Sequence, residues 1–183
     1  EALNFQWTLY MVTDDGRLVY VGFAPRLHDP DGRAFAGVNL VVLEGNREAL
    51  SFWNRFPTES ARVDGTDLEA AIGKNRLSRT DDAGRTRYTV HLELEDAGRP
   101  IVLDATLTRL VKPCRPGGFT LLSRQETGNH FEYEVPCLKA ELAGTLDVAG
   151  RRSRLAGLGY LESIRWLRSR MDRPARWYWG YLH

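Results

Sequence analysis

Apolar and polar positions alternate along most of the chain. In RTRYTVHLELED (85–96), Tyr88, Val90, Leu92 and Leu94 fall on one side and Thr89, His91, Glu93 and Glu95 on the other. A two-residue period is the mark of a strand with one buried face. RPIVLDATLTRLV (99–111) repeats it with Ile101, Leu103, Ala105 and Leu107. FQWTLYMVT (5–13) and RLVYVGFAP (17–25) flank DDG, a hairpin signal whose glycine supplies positive φ. AFAGVNLVVLE (34–44) predicts a third strand, and ALSFWNRFP (49–57) a fourth strand or a short helix. HFEYEVP (130–136) and LKAELAGTLDVAG (138–150) predict two strands broken at Pro136, and RRSRLAGLGYLES (151–163) one more after Gly150. Helical signals are confined to TDLEAAIGKN (66–75), with Thr66 as cap and Glu69 three residues on, and SIRWLRSRMD (163–172) ahead of Pro174.

Together these segments predict nine or ten short strands joined by tight turns, with one or two short helices. Strands without crossover helices form an antiparallel meander. Such a sheet has to hide its edges, and curling into a barrel or a strongly curved sandwich does so. No linker, low-complexity run or repeat interrupts the pattern, so residues 1–183 read as a single all-β domain.

Charge narrows the function. Lys plus Arg total 25 and Asp plus Glu 24, and a nucleic-acid binder needs a basic excess, so none is expected as partner. The segment 151–176 departs from this balance, with eight arginines against Glu162 and Asp172. It reads either as a solvated loop or as a contact with an anion or a membrane surface. Cys114 and Cys137 form no closely spaced pair, and free thiols in a reducing cytoplasm are the expectation. No apolar run is long enough to span a bilayer and no leader opens the chain. The expected location is cytoplasmic, with membrane association and a homodimer left open. The histidines at 28, 91, 130 and 183 lack ligand spacing, and RPGGF (115–119) lacks the lysine and helix of a phosphate loop. Neither a metal nor a cofactor is expected.

The chemistry that remains is one acid among rings. In GLGYLESIRW (157–166), Tyr160 and Glu162 share a strand face with Leu158. A carboxylate facing an apolar pocket has its pKa raised and can act as a general acid. Facing solvent, or paired with Arg154 or Arg165, the same residue is inert. The closing ARWYWGYLH places Trp177 and Trp179 on one face of a strand and Tyr178 on the other. Trp7, Tyr10, Tyr133 and Trp166 are further rings for the wall of an apolar cavity. Rings exclude water and stabilise passing positive charge; equally, they can simply fill a core.

The order of these segments resembles the carotenoid 1,2-hydratase (hydroxyneurosporene synthase) group, whose lipocalin-like fold is shared with AttH-type proteins and certain fungal Diels–Alderases. FQWTLYMVTDDGR matches the opening aromatic strand and acidic turn. HFEYEVPCLKAELAGTLDVAGR matches a strand pair with proline between. GLGYLESIRW and WYWGYLH match a G-x-G-Y-H-D-H-x-W-G signature and a W-x-W-G strand. On this alignment the signature's aspartate falls on Glu162 and its two histidines on Leu161 and Ser163, so the acid is kept in kind and the imidazoles are lost. The resemblance implies a lipocalin-like β-barrel and the role of that aspartate, protonation of an isoprenoid double bond, for Glu162. It also implies that the chain is either a single-domain variant or the first half of a two-domain architecture. The leading expectation is an enzyme that folds a hydrophobic polyene, terpenoid or polyketide in a barrel cavity. It would promote cyclisation, hydration or cycloaddition with Glu162 and Tyr160 as catalytic pair and Trp7, Tyr10, Tyr133, Trp166, Trp177 and Trp179 as wall. The alternatives are a non-catalytic carrier of an apolar small molecule and a domain whose barrel is filled by its own side chains.

Overall fold

The strands of the described residues pair into one sheet. The computed structural model describes residues 3–45, 47–64, 68–113 and 131–167. In chain order its strands are β1 (Leu3–Thr13), β2 (Arg17–His28), β3 (Ala34–Glu44), β4 (Arg47–Phe56), β5 (Ala61–Asp64), β6 (Glu69–Ile72), β7 (Asn75–Asp82), β8 (Arg85–Asp96), β9 (Arg99–Arg109), β10 (Phe131–Val148) and β11 (Arg151–Leu167). All pairings are antiparallel, in the order β4-β3-β2-β1-β11-β10-β9-β8-β7-β6-β5. The edges, β4 and β5, are consecutive in the chain and joined through a 3₁₀ turn at Thr58–Ser60. The sheet curls until β5 and β6 pack against β2 and β3, giving a nearly closed barrel, one of the two forms the alternation leaves open and the lipocalin-like one that the resemblance implies.

One side of every long strand faces inward. Trp7, Leu9 and Met11 of β1, Val19, Val21 and Phe23 of β2, and Ala36, Val38, Leu40 and Val42 of β3 meet Tyr88, Val90, Leu92 and Leu94 of β8 and Ile101, Leu103, Ala105 and Leu107 of β9 in one buried cluster. Burying such side chains contributes roughly 1.5–3 kcal/mol each relative to exposure.

Three predicted elements are corrected. Over 66–75 the structure has no helix in its described part; Glu69–Ile72 and the strand from Asn75 form a hairpin around Gly73 at φ 59°. Ala70 and Ile72 both point into the core, so a period of two overrides the weak helical signal. Residues 163–167 belong to β11 and not to a helix, and among the described residues no α-helix occurs. The two strands expected on either side of Pro136 are one continuous strand, β10. Proline cannot donate to a ladder, and here it sits where pairing with β11 skips from Glu134 to Cys137 and pairing with β9 has not yet begun. The bulge bends the strand without ending it. The polar strand β7 and the short β5 went unpredicted. β7 is pinned by Asn75, whose side-chain amide donates to the Ile72 carbonyl at 2.9 Å and accepts from the Glu93 N–H at 3.0 Å.

Tyr88 ties this bulge to the core: its ring is buried and its hydroxyl donates to the Pro136 carbonyl at 3.0 Å. Tyr88→Phe is expected to lower stability by about 1 kcal/mol, the net worth of one such bond, read as a shift in the urea midpoint at constant slope.

Candidate functional site

The register decides where each candidate side chain points. In β11, Leu155 and Leu161 belong to the core, and a Cβ on Gly159 would strike the core side chain of Leu107 at 2.2 Å. Tyr160 and Glu162 therefore project from the opposite, outer face of the barrel. In β1 the outward residues are Gln6, Thr8 and Tyr10, and in β2 Tyr20 and Gly22. Pairing aligns them in two neighbouring rows, Tyr160–Tyr10–Tyr20 and Glu162–Thr8–Gly22. Tyr133 of the bulged β10 completes the group.

Although it lies on the outer face, Glu162 is only 1% exposed. The Tyr133 hydroxyl donates to its Oε2 at 2.9 Å, and the Tyr133 and Tyr160 oxygens are 2.6 Å apart. A phenol has one proton to give. With the carboxylate ionised, Tyr133 gives its proton to Glu162, and the Tyr133–Tyr160 bond is made by the proton of Tyr160. Gln6 Nε2 donates to Thr8 Oγ1 at 3.1 Å and to the Tyr20 hydroxyl at 3.2 Å. Gly22 lets this bridge lie close to the sheet, since a Cβ there would sit 3.3 Å from Gln6 Nε2, the Tyr20 hydroxyl and Asn39 Cβ.

Burial pushes the Glu162 carboxyl up from 4.5 to about 7, against the opposing pull of the Tyr133 hydrogen bond. Burial first, then the bond to Tyr133 and the Glu162 charge, drive the Tyr160 phenol far upward. Burial likewise raises Tyr20, with the Glu162 charge adding to it. Among the described residues no Lys, Arg or His pairs with Glu162. Arg165, one of its expected partners, lies over the Phe5 ring at 4.7 Å.

Of the residues predicted for the site, Glu162, Tyr160, Tyr133 and Tyr10 come together; Tyr10 lies 6.0 Å from Tyr160 and 5.2 Å from Tyr20 between ring centroids. Trp7 does not join them, because its position in β1 is odd. It packs edge-on to Phe5 at 4.2 Å within the core. Trp166 shares Glu162's face but stands four residues further along β11, about 13 Å away at strand rise, opposite Asn4. Trp177 and Trp179 lie outside the described residues. Gln6, Thr8 and Tyr20 were missed; only the pairing of β1 with both β11 and β2 marks them.

The expected hollow interior is corrected as well. The inward positions form a packed hydrocarbon cluster, and the acid stands on the other side of the sheet from it. Two outer grooves lie elsewhere and are charged: one of about 410 Å³ is lined by Arg76, His91, Asp104 and Arg152, another of about 480 Å³ by Glu59, Arg62, Asp64 and Glu69. In the first, Asp104 Oδ1 lies 2.6 Å from His91 Nδ1, and Glu93 Oε1 lies 3.3 Å from Nε2. The bond to Asp104, followed by that to Glu93, raises the imidazole above 6.5. Such a group adds stability that is full below 6.5 and lost as pH rises through its folded value. Asp104→Asn is expected to bring the His91 midpoint down, followed by NMR of its ring protons.

Among the described residues no group of His, Cys, Asp and Glu is arranged to hold a metal ion. Cys137 is a buried free thiol pushed up to about 11 by burial, so it is a poor nucleophile at neutral pH. No helix of the described residues is long and apolar enough to cross a membrane.

No known family profile and no curated protein matches the sequence. Solved structures do match in fold. A candidate AttH from Nitrosomonas europaea aligns at TM-score 0.63 and 16% identity over 94% of this chain and 53% of its own. CghA with Sch210972 aligns at TM-score 0.49 and 16% identity over 91% of this chain and 46% of its own. The chain thus spans about half the length of these structures, and at this identity the likeness is one of fold.

Proposed function

We propose that this barrel is an enzyme domain acting on a hydrophobic polyene, terpenoid or polyketide chain, with Glu162 as general acid. The observation that carries the reading is a fully buried carboxyl, held by phenols, whose pKa of about 7 leaves it half protonated near neutral pH. Proton transfer to an alkene promotes hydration or cyclisation; hydrogen bonding to a carbonyl from the same acid favours cycloaddition. Tyr133 is already aimed at the oxygen that becomes negative, and Tyr160 stands behind it as second donor. The barrel shared with the candidate AttH agrees with the hydratase-like resemblance of the sequence. A filled interior supports a second reading, a structural domain without chemistry.

The test is incubation with a panel of apolar polyenes, terpenoids and polyketides, followed by mass spectrometry for products and by calorimetry for binding. Product formation that disappears in Glu162→Gln while binding persists is expected. Full turnover by that variant would overturn the acid role. Binding without any product would make the protein a carrier, and neither binding nor product would leave the structural reading.

A further inference from the structure

The outer groove of about 410 Å³ is separate from the Glu162 group: it draws on β7, β8, β9, β10 and the start of β11, where Arg152 precedes Glu162 by ten residues. Pairing aligns four of its lining residues in one row, Arg76–His91–Asp104–Thr145. The carboxylates in and beside this row already have partners. Asp104 Oδ1 lies 2.6 Å from His91 Nδ1, and Glu93 divides between His91 Nε2 at 3.3 Å and Lys74 Nζ at 2.9 Å. Asp147, opposite Arg152 in the register, accepts the Gly150 N–H at 2.8 Å. The arginines differ: among the described residues neither Arg76 nor Arg152 has a carboxylate partner. Arg76 Nη1 donates to the carbonyls of Gly73 at 2.6 Å and Asn75 at 2.9 Å, and Arg152 Nη2 donates to Thr145 Oγ1 at 3.3 Å. A guanidinium carries five N–H donors, so these bonds hold each head in place and leave most of its donors unused. Such planar forks take carboxylate oxygens two at a time. With neighbouring strands about 4.8 Å apart, three spacings, roughly 14 Å of backbone, separate Arg76 from Thr145, where the Arg152 head sits. Thr89, Thr106 and Ala143 run in register beside the row, and all are short.

We propose that this groove binds a small dianion, a chain with a carboxylate at each end, held by Arg76 at one end and Arg152 at the other. Each carboxylate takes the unused edge of one guanidinium. Thr106, turned outward between the core residues Ala105 and Leu107, presents its hydroxyl to the middle of the chain. A ligand with a single carboxylate engages one arginine and leaves the other without counter-charge, so the site reads the distance between two anionic groups. The inference does not rest on the acid role of Glu162.

The probes are α,ω-dicarboxylates from butanedioate to dodecanedioate, each set against the monocarboxylate of the same chain length. They are titrated at low ionic strength, where exposed charges are least screened. Binding is read from the ring protons of His91, which stands in the row between the two guanidinium groups. Affinity is expected to peak at an intermediate chain length. There it should exceed that of the monocarboxylate by roughly 10-fold or more, because the second contact is intramolecular once the first is made. Arg76→Gln and Arg152→Gln should each bring the best dicarboxylate down to the level of its monocarboxylate and remove the length optimum. Arg154→Gln takes the same charge from the position opposite Thr145, outside the groove lining, and should leave both intact. All three side chains are exposed, so the variants are expected to fold. Dicarboxylates that bind no better than monocarboxylates, or affinity that only grows with chain length, overturn the proposal. An equal loss in all three variants overturns it too, since it would mark general attraction to a basic surface.

Discussion

Glu162→Gln is expected to slow turnover by roughly 10²–10⁴-fold, the usual contribution of a positioned general acid, while the barrel stays folded. Glutamine fills the same volume and its side-chain carbonyl still accepts the Tyr133 hydroxyl, but it has no acidic proton to transfer. With Glu162 as the proposed general acid the protonated form would be the active one, so the rate is expected to fall as pH rises through about 7. The same group sets a stability trend of opposite origin to the usual carboxylate. Its folded value is raised from 4.5 to about 7, so the native state holds a proton that the unfolded chain has released. The extra stability is full below 4.5 and is lost as pH rises through 7. At 1.36 kcal/mol per unit this amounts to something on the order of 3 kcal/mol. Urea unfolding at both ends of that window should show the loss in the wild type and little of it in the glutamine variant. A wild-type protein that grows more stable across the window would contradict the burial of Glu162.

Gly144→Ala carries a large expected effect on the fold. Gly144 pairs with Ala105 in β9, on the inward side of β10. A Cβ there would lie 2.3 Å from the Asp104 carbonyl oxygen and 2.8 Å from Ala105 Cα. Both are backbone atoms, so no rotamer change relieves the clash and the ladder itself has to part. Overpacking against side chains costs about 1–3 kcal/mol, and against a hydrogen-bonded backbone about 3 kcal/mol or more is expected. Ala143→Ser, one residue away on the exposed face, should stay within about 0.5 kcal/mol. Guanidinium midpoints of the two variants settle the comparison, and equal midpoints would mean that β9 and β10 are not packed as described.

These strands also separate what is local from what is not. The range 34–44 is β3 to the residue, and 85–96 is β8. All eight inward residues read from 85–96 and 99–111 lie in the core. Alternation is a property of neighbouring residues, so it is written where it can be read. The hairpin at Gly73 and the passage of β10 through Pro136 escaped because each depends on what the strand meets across the sheet. For Ala70 and Ile72 that is a core to fill; for Pro136 it is a stretch where the ladders on either side leave it unpaired.

Glu162 shows the division most sharply. By itself the sequence determined that the acid shares a face with Tyr160 and turns away from Leu161, since side chains on a strand alternate. Which of those faces looks into the barrel was decided only when the sheet curled with Leu161 inward. The partners were decided by register, which brings Tyr133 from 29 residues earlier in the chain and places Tyr20 within reach of the same charge. A strand's pattern states that two faces differ; the curvature of the whole sheet determines which is enclosed, and pairing determines what each side chain meets there.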